Sequence, residues 1–145
     1  VAGDAEARDF VAQNPSSFLR VTRPEVEFPE SRPQSSVEVL SAGKRNLESL
    51  VSTGLLVQDA DPAIYAYRLE TETHSQTGIV ACCSLDEYER GLIKEHEKTR
   101  PDKVAERTKH MVELRAQTGL ILVAFKGDHQ TQSLIGKATE GTPIF

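Results

Sequence analysis

The run Ile64-Tyr65-Ala66-Tyr67-Arg68-Leu69-Glu70-Thr71-Glu72-Thr73-His74-Ser75-Gln76-Thr77-Gly78-Ile79-Val80-Ala81-Cys82-Cys83-Ser84-Leu85 decides the fold class. Alternation over residues 64–69 sets Tyr65, Tyr67 and Leu69 on one face, as a strand with two unlike faces requires. A second strand-like stretch at 78–85 answers it, and the polar residues 71–75 supply the connection, so the run predicts an antiparallel hairpin. Helical spacing on both sides of it makes the expected class α+β, a small, mostly antiparallel sheet with three to four flanking helices.

Upstream, residues 4–14 read as a short helix with Asp4 as its N-cap, Phe10 and Val11 as apolar contacts and Pro15 as the stop. Residues 18–21 read as a short strand. Residues 23–36 hold Pro24, Pro29 and Pro33 among Glu25, Glu27, Glu30 and Ser31, and are expected to form a proline-rich, exposed internal loop. Over 37–53, Leu40, Leu47, Leu50 and Val51 share a helical face, and Gly54 is placed as the glycine just past the helix end. Downstream, residues 101–114 read as a helix and 131–139 as the last one. Between them, 120–125 is apolar on both faces and reads as a buried central strand. The start at Val1 and the apolar ending Pro143-Ile144-Phe145 suggest a single domain, residues 1–145, or the N-terminal fragment of a longer protein.

With 145 residues, 38% of them hydrophobic and 27% charged, the composition matches a folded domain and excludes a collagen-like, disordered or disulfide-stapled chain. No apolar run approaches the roughly 20 residues of a membrane-spanning helix. A net charge of -5 argues against a chain-wide positive field, so nucleic acid is not an expected partner and any anion site must be local. Cys82 and Cys83 are adjacent in an apolar stretch, read as packing residues, and suit a reducing, cytoplasmic setting. His74, His96, His110 and His129 show no short metal-ligand spacing, so no metal site is expected. Gly-rich phosphate loops and the Gly-x-Ser-x-Gly nucleophile elbow are absent from the sequence.

The segment most suited to chemistry is Lys94-Glu95-His96-Glu97-Lys98-Thr99-Arg100-Pro101-Asp102-Lys103, which runs straight into the 101–114 helix. Pro101 suits the first turn, and Asp102 complements the positive end of the helix dipole. On a helical wheel Lys103, Arg107 and His110 share one arc, beside an apolar arc of Val104, Met111, Val112 and Leu114. Free N–H groups at the helix start, the dipole and the side chains of Lys98, Thr99, Arg100, Lys103, Arg107 and His110 together describe a phosphate-binding edge. His96 and Glu97 are the candidates to orient or deprotonate a hydroxyl. The same residues would also serve as a solvated face laced to Glu106 and Glu113, each pair contributing about 0.2–0.5 kcal/mol.

The phrases Asn14-Pro15-Ser16-Ser17-Phe18-Leu19-Arg20-Val21, Arg23-Pro24-Glu25, Gly54-Leu55-Leu56-Val57, Ile64-Tyr65-Ala66-Tyr67 and His96-Glu97-Lys98-Thr99, the last followed by Lys103 and Arg107, occur here in that order. In this order they resemble the N-terminal part of the family catalogued as domain of unknown function 1015, over about residues 4–125. Members are longer and carry a downstream Asp-Gly-His-His-Arg phrase, not found in this sequence, that looks like one in ParB/sulfiredoxin-type proteins, some of them nucleotide-dependent free-serine kinases. The resemblance implies a composite site completed by the C-terminal region of the same protein, with a small anion or a nucleotide, ADP or ATP with magnesium, as ligand and phosphoryl transfer to a small molecule as reaction. The competing expectation is a non-catalytic protein-interaction or structural module.

Overall fold

The computed structural model describes residues 3–30, 33–95 and 98–144. The chain divides into two compact units, Val1–Gln58 with His96–Gly119, and Asp59–Glu95 with Leu120–Phe145. Among the described residues are six α-helices, one 3-10 turn and a two-stranded antiparallel sheet, so the class is α+β.

The first unit is helical: α1 (Asp4–Gln13), α2 (Leu19–Thr22), the 3-10 turn Pro24–Glu27, α3 (Val37–Ser52) and α5 (Pro101–Leu114). Helix α1 starts one residue earlier than its sequence suggests, because Gly3 takes the N-cap position and leaves Asp4 in the first turn, ion-paired to Arg23. Residues 18–21, expected as a strand, form helix α2 instead. Ser17 Oγ accepts from Leu19 N–H at 3.2 Å, and Asn46 Nδ2 of α3 donates to the Arg20 carbonyl at 2.9 Å. These partners take the backbone groups a sheet would have used, so β-prone Val21 is buried inside one helical turn.

The proline-rich segment is not wholly exposed either. Pro24 opens the 3-10 turn, where its missing N–H costs nothing, and Pro24 and Val26 are both buried. Ser31, which the sequence placed in that loop, lies outside the described residues.

Helix α3 is capped by Ser36 Oγ, which accepts from Val39 N–H. It closes at Gly54 in the left-handed region, φ 75°, with Leu56 N–H reaching back to the Leu50 carbonyl at 3.0 Å. Its buried stripe is Val39, Ala42 and Gly43, while Val51 is 55% exposed. The expected stripe of Leu40, Leu47, Leu50 and Val51 is therefore rotated. Small residues decide the rotation: a Cβ on Gly43 would stand 3.2 Å from both Pro24 Cγ and the Val21 carbonyl oxygen, so glycine lets α3 approach α2 and the turn closely.

The second unit holds β1 (Tyr65–Glu70), β2 (Ser75–Val80), α4 (Leu85–Glu89) and α6 (His129–Ala138). The hairpin pairs Tyr65 with Val80 and Glu70 with Ser75. Its connection is tighter than expected, since Thr71 and His74 exchange hydrogen bonds and let the second strand begin at Ser75. That strand ends at Val80, and Leu85 starts α4 under a cap from Ser84 Oγ. Residues 120–125 have no regular structure, and Leu120, Ile121, Leu122, Val123 and Phe125 are exposed, contrary to the buried strand their composition suggests. Among the described residues the sheet has two strands, and neither pairs with this run. No described residue of the second unit is buried.

The first unit depends on Arg8. Its guanidinium reaches from α1 to the proline-rich segment, donating from Nη1 to the carbonyls of Val26 at 2.7 Å and of Phe28, and from Nη2 to that of Glu25 at 3.1 Å. Hydrogen bonds from a charged donor contribute about 1.5–3 kcal/mol each and do not add fully. Arg8→Met should therefore lower the stability of this unit by about 2–4 kcal/mol in urea unfolding, with Arg8→Lys recovering only part, because a compact ammonium on a shorter stem lacks the two-nitrogen fork that spreads the donors over the three carbonyls. Equal stability of Arg8→Met and the parent chain would remove this role.

Candidate functional site

Helix α5 begins with Arg100 at the N-cap and Pro101 in the first turn, and the Arg100 side chain makes no capping hydrogen bond to it. The first-turn N–H groups have no intrahelical partner, which gives the helix start its affinity for negative charge. The chain supplies a negative group of its own: Arg100 grips Asp102 with Nε on Oδ1 at 3.2 Å and Nη2 on Oδ2 at 2.6 Å. The Arg100 guanidinium, then the backbone N–H groups of residues 102 and 103 and the charge of Lys103, hold the Asp102 carboxyl below its ordinary pKa. Part of the predicted anion cradle is thus occupied by Asp102.

Lys103 Nζ meets Glu106 Oε2 at 2.8 Å, an exposed pair one helical turn long. Lys98, Thr99 and Arg107 are exposed, and Lys98 and Arg107 form no ion pair among the described residues. His96 and Glu97 lie outside the described residues.

His110 stands apart from this group. It is buried, and its Nε2 lies 2.9 Å from the Val21 carbonyl, so it donates into the core between α5 and α2. The wheel drawn from sequence is therefore turned: His110 and Leu114 face the core, while Val104, Met111 and Val112 stay exposed. A polar contact outweighs the apolar arc here, because a buried carbonyl left without a donor costs about 1–3 kcal/mol. Lys103 and Arg107 lie on the same side of the helix, but nearer its exposed start.

The next face of α5 lines a shallow cavity of about 320 Å³ formed by Gln34, Ser35, Asp102, Ala105, Glu106 and Lys109. Sequence reading missed it, although Asp102, Ala105, Glu106 and Lys109 recur at helical spacing. Two carboxylates against one ammonium make it unsuited to a phosphate. Among the described residues no group of three His, Cys, Asp or Glu side chains could hold a metal ion, and no helix is long and apolar enough to cross a membrane.

Two outcomes follow from this geometry. Replacing His110 with Ala should cost about 1–3 kcal/mol in chemical unfolding, because the Val21 carbonyl loses its donor, without changing anion affinity at a temperature where the chain stays folded. Asp102 has a depressed folded pKa, so its contribution to the α5 start is complete above the ordinary aspartate pKa and disappears as pH falls through the lower folded value. In a carboxyl NMR titration, Arg100→Gln should move the Asp102 midpoint upward. An unmoved midpoint would show that Arg100 does not grip this carboxylate.

Comparison with known proteins adds one positive finding. The family model described as Protein of unknown function (DUF1015) matches residues 1–145. No curated protein and no solved structure matches the chain, and nothing in these comparisons supports the likeness to ParB/sulfiredoxin-type proteins. The ordered phrases from Asn14 to Arg107, the α+β class and the match along the full sequence agree, and the chain belongs to the DUF1015 family.

Proposed function

We propose that the start of α5 is an anion-binding edge that takes a phosphate group, free or carried by a nucleotide such as ADP or ATP with magnesium. The observation carrying this reading is a helix start whose N-cap side chain makes no capping hydrogen bond, flanked by Lys98 and Arg107, exposed cations that form no ion pair among the described residues. Lys98, Thr99 and Lys103 would contact phosphate oxygens, and Arg107 would add charge from the next turn. Arg100 would release Asp102 to join them, so an incoming phosphate competes with an internal carboxylate. His96 or Glu97, just ahead of Lys98 in the sequence, would orient a hydroxyl or accept its proton, and in a composite site completed by the C-terminal region this would support phosphoryl transfer to a small molecule.

A second reading, a protein-interaction module, is favoured by the bare apolar run at 120–125 in the other unit. The two separate in calorimetric titrations with inorganic phosphate, ADP and ATP at low ionic strength, with and without magnesium. The anion reading requires saturable binding that weakens as salt rises. Lys103→Ala with Arg107→Ala should then weaken binding at least tenfold with the melting temperature unchanged, both side chains being exposed. Asp102→Asn should tighten it several-fold by removing the internal competitor. Absence of saturable binding to all three anions would reject the phosphate site on this chain and leave the interaction reading.

A further inference from the structure

We draw no further inference here: the strongest candidate, the shallow cavity of about 320 Å³ between the approach to α3 and the first turns of α5, borders the anion-binding edge already described, and its two carboxylates are already paired with Arg100 and Lys103, so nothing in it points to a second ligand.

Discussion

A single guanidinium carries the first unit. Pro24 and Pro29 deny the segment between them a regular ladder, so the carbonyls of Val26 and Phe28 take their donors from Arg8, which also shares the Glu25 carbonyl with the Phe28 N–H. With that segment fixed, Pro24 and Val26 are held in the core, and the Val21 carbonyl is positioned to receive His110 from α5. Arg20 and Asn46 both reach Glu27, which ties the same turn to α2 and α3. Asn46 donates to the Arg20 carbonyl as well, so one amide joins two elements. The placement of α5, and with it the candidate anion site, therefore descends from backbone groups that prolines left without partners.

What could be read from the sequence was what is encoded locally. The Thr71 to Ser75 connection announced a hairpin, Gly54 announced the end of α3, and Pro101 with Asp102 announced the start of α5, because turn and cap preferences act within a few residues. Tertiary choices could not be read. Leu19 to Thr22 has the composition of a strand, but the donor that captures its backbone, Asn46, lies far along the chain. A helical wheel gives the angles between residues of α5 but not which angle faces inward, and the Val21 carbonyl, not the apolar arc, sets it. Residues 120–125 state a preference for burial without saying whether anything covers them.

The same limit applies to the site. Spacing brought Lys98, Arg100, Lys103 and Arg107 toward one helix start, which is a local matter. That Arg100 would turn to Asp102, Lys103 to Glu106 and His110 to the core depended on side-chain partners that composition does not rank. A helix start answered by its own carboxylate is stabilised, and on the proposed anion reading a ligand would have to displace a competitor already in place.

The two units also differ in what holds them. One encloses Val21, Val39, Ala42, His110 and Leu114, whereas the other has no described residue out of water. A two-stranded hairpin with no fully buried residue, touched chiefly by α6 along β2, has little to hold it, since such hairpins alone are only marginally stable in water. Amide hydrogens along β1 and β2 should consequently exchange through frequent local openings, while those of α3 wait for rarer and larger ones. Heating such a chain should therefore produce no single all-or-none transition, the cooperative part of its melting curve reporting the helical core.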